Sequence, residues 1–261
     1  MDYVLSVSSF FSKFVNGTMN IKKFLHIAHR LNYKRVELCD LSIESHSLDY
    51  IRKLKRYLNK LKLNVEAVDI RNDLSLESET EVQKQIHHIE TWIDVASQLN
   101  AKYVRIWVGE ASNRMEIIEK VHKRLHIISN YAKQKEVTPL IENHGGISSN
   151  PDLLKELLST EKNIGAIIDF GHFAIDDICY AIREISPYIK LIHVKSFNFR
   201  GNLEETTFDY FKIFEQIVHE NYSGNLSIEY EGDGDPMIGV HKTRLLTQHS
   251  LERVGKGIEF Y

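Results

Sequence analysis

The chain has 261 residues, of which 43% are hydrophobic and 26% charged, a composition typical of an ordinary globular protein. Its formal net charge of −3 argues against a nucleic-acid-binding surface dominated by positive charge, and no apolar stretch is long enough to cross a bilayer. Cys39 and Cys179 form no CxxC pair and the N-terminus has no secretory-signal pattern, so we expect a cytoplasmic protein without a disulfide framework or zinc ribbon.

Strand-like and helix-like segments alternate along the whole chain. Short apolar runs predict strands, and longer runs with apolar residues at helical spacing predict helices. The predicted strands cover residues 4–7, 35–38, 64–68, 103–108, 139–142, 163–169, 190–194 and 225–229. The predicted helices cover residues 20–31, 48–61, 81–99, 115–134, 174–185, 208–220 and 239–253, and one more opens at Asn150-Pro151.

Eight strand-then-helix units with short connections imply a parallel sheet. In a chain of 261 residues this number of units favours a closed barrel, and no GxGxxG motif follows the first strand to support an open, doubly wound sheet. No Pro-, Gly- or Ser-rich linker divides the chain. The sequence therefore predicts the α/β class, as a (β/α)8 TIM barrel forming a single domain over residues 1–261.

Four successive predicted strands carry an ionisable residue at or near their C-terminal ends. These residues are Glu142, Asp169, His193 and Glu229, on strands five to eight. Each alone has an ordinary explanation, as a helix cap, a core histidine or one half of an ion pair. In a parallel barrel, however, these strand ends meet on one rim, where active sites are built. Three carboxylates buried together are costly unless a cation neutralises them, so the pattern favours one divalent metal ion.

Four segments in the second half of the chain resemble the signature motifs of the xylose isomerase-like TIM-barrel superfamily. They are Glu142-Asn143-His144-Gly145, Asp169-Phe170-Gly171-His172, Ile192-His193-Val194-Lys195 and Ser227-Ile228-Glu229. The most similar branch is the sugar (phosphate) isomerase/epimerase group, which includes ketose 3-epimerases and hydroxypyruvate isomerases.

This resemblance covers the whole barrel and implies a set of roles. Glu142, Asp169, His193 and Glu229 would bind one Mn²⁺ or Mg²⁺ ion, with Zn²⁺ or Co²⁺ as alternatives. His172 would contact the substrate, and the two glutamates would also transfer protons. A divalent ion that chelates a carbonyl oxygen and a neighbouring hydroxyl stabilises the enediolate formed when the adjacent C–H proton leaves. We therefore expect a metal-dependent isomerase or epimerase of a sugar or sugar derivative.

Four further residues are candidate substrate contacts, each with an ordinary structural alternative. Lys195 follows the strand-seven histidine by two positions, so it either binds a substrate oxygen or pairs with the strand-eight glutamate. Arg200 lies where the resembling epimerases often place a substrate-contacting arginine, or is a surface residue. Glu37 and Trp107 lie near the ends of strands two and four and are expected to line the pocket, unless Trp107 packs in the core.

Other functions remain compatible with parts of the pattern. A dehydratase of the inosose type would use the same metal and base but expel a β-hydroxyl group. A phosphodiesterase like the apurinic endonucleases would share the segment from Asp169 to His172, but it needs further histidines that this chain lacks. A barrel that binds a sugar and signals is the non-enzymatic alternative. The expected partner is a small-molecule sugar rather than nucleic acid or a membrane, and a homo-oligomer remains open.

Overall fold

Eight parallel strands close into a barrel, as predicted. The computed structural model describes residues 1–110 and 115–258. The barrel strands, numbered 1 to 8 in chain order, are Tyr3–Ser6, Arg35–Cys39, Asn64–Asp69, Tyr103–Ile106, Thr138–Glu142, Gly165–Asp169, Ile189–Ser196 and Asn225–Tyr230. Each strand pairs with its neighbours in chain order, and strand 1 pairs with strand 8 to close the sheet. The predicted domain of 1–261 also includes 111–114 and 259–261, which lie outside the described residues.

Helices surround the barrel and follow the strands in alternation. They are Ile21–Arg30, Leu48–Leu61, Glu79–Leu99, Met115–Gln134, Pro151–Ser159, Ile178–Ile185, Tyr210–His219 and Pro236–Ile258, with the shorter Phe11–Val15 after strand 1. Several begin at a side chain that accepts a backbone N–H of the first turn, namely Asn20, Ser47, Ser78 and Asn150. Among the described residues, no helix combines the length and apolar character needed to cross a bilayer.

Strand 4 is shorter than the sequence predicts, and the reason is a side chain from another loop. The strand ends at Ile106, two residues before the predicted end. Asn72 donates to the carbonyl oxygen of Trp107 over 2.6 Å and accepts its N–H over 3.0 Å. The backbone of Trp107 therefore bonds to an amide side chain instead of continuing the ladder between strands.

The interior of the barrel changes from apolar to polar along its axis. Five fully buried side chains form an apolar cluster inside it: Val4, Ala67, Leu140, Ile167 and Leu191. Side chains two positions apart on a strand point to the same face, so the residues two positions further also point inward. These are Ser6, Asp69, Glu142, Asp169 and His193. The C-terminal half of the barrel interior is therefore lined by polar and ionisable groups.

Candidate active site

The four residues expected to bind a metal ion converge inside the C-terminal end of the barrel. Asp169, at the end of strand 6, is paired in register with His193 in the middle of strand 7. Nδ1 of His193 lies 2.9 Å from Glu142 Oε1 and 3.5 Å from Glu229 Oε1. The same nitrogen lies 3.7 Å from Asp169 Oδ2. The four side chains are each 4% exposed or less. We call them the ligand cluster.

Three members of the ligand cluster, Glu142, Asp169 and His193, each place one ligand atom within 4.8 Å of the others, and Glu229 forms a second such group with His193 and Glu37. His193 Nδ1 and Asp169 Oδ2 are buried, and no hydrogen bond within the described residues satisfies either atom. Atoms bound at about 2.1 Å to one ion lie about 3.0 to 3.4 Å apart in octahedral or tetrahedral geometry, and the three carboxylates lie 2.9, 3.5 and 3.7 Å from His193 Nδ1. Three carboxylates and one imidazole suit a hard or borderline divalent cation. The residues therefore fit such an ion.

Arg105, on strand 4, holds the carboxylate of Glu142. Its Nε donates to Glu142 Oε2 over 2.7 Å, its Nη2 contacts the same oxygen, and its Nη1 donates to the carbonyl of Ile70. Burial by itself would raise the pKa of Glu142, but the guanidinium charge, with His144 and His193, holds that pKa well below its usual value. Glu142 therefore stays ionised, with Oε2 on the guanidinium and Oε1 facing His193.

Lys195 holds the carboxylates of Glu229 and Asp169, as Arg105 holds that of Glu142. Its Nζ donates to Glu229 Oε2 over 2.6 Å and to Glu231 Oε1 over 2.8 Å, and it lies 3.0 Å from Asp169 Oδ2. Burial would raise the pKa of Asp169, but the Lys195 charge, together with His193 and His172, outweighs it and the pKa falls to about 2. Of the two alternatives for Lys195, the structure realises the pair with Glu229.

Glu37 holds His193 from below, which corrects the expectation that Glu37 lines the pocket. His193 Nε2 lies 3.0 Å from Glu37 Oε1, and Ser227 Oγ donates to Glu37 Oε2. Glu37 is fully buried and is not among the residues on the cavity wall. Burial would raise its pKa, but His193, together with the hydrogen bonds from Ser227 and Asp69, outweighs this and lowers the pKa. Because a carboxylate only accepts, Nε2 donates to Glu37, and Nδ1 is the nitrogen that faces the ligand cluster and would bind a metal ion in the neutral ring.

A cavity of about 270 Å³ lies over the ligand cluster at the C-terminal end of the barrel. His172 and Lys195, two of the predicted substrate contacts, line it. Arg200 does not: it is exposed, on the two-stranded hairpin Phe199–Arg200 and Glu204–Glu205. Trp107 is half-buried and also absent from the cavity wall, and its ring packs edge-on against His144 with 5.9 Å between centroids.

Two histidines form one side of the cavity. The rings of His144 and His172 lie 4.0 Å apart. His172 Nε2 is 3.6 Å from Asp169 Oδ2, and its side chain is 28% exposed. Burial lowers the pKa of His172, which favours the neutral imidazole. A neutral ring at this position can both donate to and accept from a substrate hydroxyl group.

Sequence reasoning missed several ionisable residues of the cavity, and for two of them, Arg105 and Asp69, a signal was present. Arg105 interrupts the apolar run of strand 4 at a position that points into the barrel. Asp69 ends strand 3 in the same way that Glu142 ends strand 5. The criterion used for strands 5 to 8, an ionisable residue at or near the C-terminal end of the strand, also selects Asp69.

Comparisons with known proteins agree with this architecture. The family model for the xylose isomerase-like TIM barrel matches residues 25–260. A structure of L-ribulose 3-epimerase has a TM-score of 0.83 and 16% identity, with 99% of this chain and 97% of that chain covered. The IolI protein with a bound zinc atom has a TM-score of 0.78 and 14% identity, with 97% and 99% covered.

A third similar structure is the probable 3-DHS dehydratase AsbF, involved in petrobactin synthesis, from Bacillus anthracis. Its TM-score is 0.75 and its identity 18%, with 95% of this chain and 99% of that chain covered. At such identities these likenesses show the fold alone, and no curated protein sequence matches this chain. The family match covers most of the chain and confirms the resemblance of the four motifs: the chain belongs to the xylose isomerase-like TIM-barrel family.

Proposed function

We propose that this protein is a divalent-metal-dependent isomerase or epimerase of a sugar or sugar derivative. The observation that carries the proposal is the convergence of three carboxylates on Nδ1 of His193 at the base of a cavity. The volume of about 270 Å³ suits a small ligand. A divalent ion held there by Glu142, Asp169, His193 and Glu229 would supply Lewis-acid polarisation of a substrate carbonyl. The carboxylate-rich set favours Mn²⁺ or Mg²⁺, and the zinc in IolI makes Zn²⁺ the alternative.

In this proposal Glu142 and Glu229 move protons on two sides of a substrate. They lie on strands 5 and 8, with strands 6 and 7 between them, and each directs one oxygen toward His193. Ser6 donates to Glu229 Oε1 over 2.7 Å and so fixes that carboxylate. One glutamate, ionised, takes the proton from the carbon beside the carbonyl, and the other, after protonation by solvent, gives its proton to the opposite face of that carbon. Return to the neighbouring carbon gives isomerisation instead.

His172 binds and orients the substrate in this proposal. Its partly exposed ring faces the cavity beside Asp169, and its lowered pKa keeps it neutral, so that it adds no charge. Lys195 is engaged by three carboxylates, and its contribution is to hold Asp169 and Glu229 in place.

A dehydratase is the second candidate, because a probable 3-DHS dehydratase shares the fold over almost the whole chain. The same base would remove the proton, and a β-hydroxyl group would then leave as water. A phosphodiesterase has less support: of the described residues that line the cavity, those from the ends of strands 2 to 4 include no histidine.

The test is incubation of the Mn²⁺-loaded protein with a panel of ketoses and aldoses in D₂O, followed by NMR. We expect an epimer or isomer to form, with deuterium at a carbon next to the carbonyl unless the proton is transferred internally. EDTA should stop product formation, and Mn²⁺ should restore it. A product lacking the mass of water would instead support the dehydratase. Cleavage of abasic DNA, with no turnover of any sugar, would refute the proposal.

A further inference from the structure

The cavity has a second wall that takes no part in the ligand cluster. In the closed barrel, strands 2 and 3 lie across from strands 6 and 7. The C-terminal ends of strands 2 and 3 and the residues after them contribute Cys39, Asp40, Asp69, Ile70 and Arg71 to the cavity lining. We call these residues the opposite wall. When one end of a substrate is held at the ligand cluster, the rest of the substrate therefore faces the opposite wall.

Asp69 is the unusual member of the opposite wall. It is only 9% exposed, and its Oδ1 has no hydrogen-bond partner among the described residues. The other carboxylates on the cavity wall each lie within 4 Å of an arginine or lysine nitrogen, and they are Asp40, Glu142, Asp169, Glu229 and Glu231. Asp69 has no such ion pair within the described part of the chain. Leaving a buried oxygen unpaired is costly, so a ligand in the cavity is the natural source of its partner.

The charges around the cavity restrict what that ligand group can be. Six carboxyl groups line the cavity against three fixed cations, Arg71, Arg105 and Lys195, and each of these cations is paired with a carboxylate. A phosphate or carboxylate on the substrate would thus meet carboxyl groups and no free cation among the described residues. A hydroxyl group fits better, because it donates to or accepts from a carboxyl group without adding charge.

Asp69 is also suited to a hydroxyl group by its surroundings. Burial raises the pKa of Asp69 well above its usual value, and the charge of Glu37 raises it further. A proton kept by Asp69 serves a hydrogen bond to Glu37, so the unpartnered Oδ1 is left to accept from a hydroxyl group. The raised pKa agrees with a hydroxyl partner, but the position of Asp69 and the charges around the cavity favour that partner without it.

We propose that Asp69 hydrogen-bonds a hydroxyl group on the part of the substrate that faces strand 3, and so selects an uncharged, polyhydroxylated substrate. The proposal rests on the proposed function, because it takes the reacting end of the sugar to lie at the ligand cluster. Asp69 is thus a specificity-determining residue for the end of the sugar remote from the carbonyl. A site built to bond a hydroxyl group discriminates strongly against an analogue that lacks it.

The test measures binding, so that it does not depend on turnover. Wild type and Asp69→Ala, both loaded with Mn²⁺, are titrated calorimetrically with ketohexoses, their 6-deoxy analogues and their 6-phosphates. Wild type should bind at least one ketohexose at least about tenfold more tightly than its deoxy analogue and its phosphate. In Asp69→Ala the hydroxyl and deoxy forms should bind within about threefold of each other, and Asp69→Asn should restore part of the preference.

Controls separate a role in binding from a role in structure. Asp94→Ala removes an aspartate on the helix Glu79–Leu99, outside the cavity wall, where it contacts Lys135 and Tyr131, and it should leave the preference unchanged. Asp69→Ala should still bind Mn²⁺, because all four members of the ligand cluster are present in that variant. An unchanged preference in Asp69→Ala, a lost Mn²⁺ site in that variant, or no ketose binding by wild type would overturn the inference. Binding with the expected preference but without turnover would refute the proposed function alone.

Discussion

Replacing Glu37 by glutamine tests whether the group below His193 sets the metal affinity. The variant keeps the shape of the side chain and an oxygen able to accept from Nε2, but it removes the negative charge. The contact is short, at 3.0 Å, and its two side chains are 2% and 0% exposed, so solvent screens it little. Loss of such a partner typically weakens metal binding by about 10- to 100-fold, or about 1.4 to 2.7 kcal/mol. We expect a loss within this range.

The assay is calorimetric titration of Mn²⁺ into protein first stripped with EDTA, at constant pH. The matched control is Glu66→Gln, since Glu66 is another strand glutamate, 1% exposed, whose partners Arg35 and Lys102 lie outside the ligand cluster. Its Mn²⁺ affinity should equal that of wild type. Circular dichroism and thermal unfolding would verify that both variants fold. A change smaller than twofold in a folded Glu37→Gln, or an equal loss in Glu66→Gln, would refute the role of Glu37.

Three further predictions concern the same site. Glu142→Gln and Glu229→Gln should each lower kcat by at least about 100-fold, because an amide cannot accept the substrate proton; near wild-type kcat in either would place proton transfer elsewhere. Arg105→Met should lower the free energy of unfolding, measured in urea, by about 3 kcal/mol, because it leaves a buried carboxylate without its cation; a loss below about 1 kcal/mol would contradict this. Mn²⁺ at 100 times its Kd should add about 2.7 kcal/mol to the free energy of unfolding, and this gain should be absent with EDTA or in Asp169→Asn.

The barrel and the strand-end residues were predictable because their signals are local. The spacing of apolar residues within each segment predicts its strand or helix without reference to the rest of the chain. Strict alternation of strands and helices then leaves few possible topologies. Glu142 and Asp169 end their strands, so the parallel arrangement alone brings them to one rim. Their meeting at one rim does not depend on the exact register between neighbouring strands. The residues that the structure brings together around His193 could therefore be predicted from the sequence.

The residues that sequence reasoning misplaced depend on non-local geometry. The register between strands 2 and 3 shifts between Val36 and Glu37, and no sequence pattern marks that irregularity. Glu37 consequently lies under His193 instead of on the cavity wall. The path of the loop carrying Arg200 is set by Glu205, whose carboxylate accepts four backbone N–H groups. A carboxylate that organises its loop in this way cannot be told from a surface glutamate by sequence alone.

The apolar cluster inside the barrel has a kinetic consequence for whatever binds above it. Its members, from Val4 to Leu191, are fully buried and close the lower end of the interior, so molecules enter and leave through the C-terminal mouth. Substrate and product then pass through the same opening and occupy the same binding position. Each product molecule must depart before the next substrate arrives, and added product acts as a strictly competitive inhibitor. Initial-rate measurements at several product concentrations should give lines that meet on the reciprocal-rate axis.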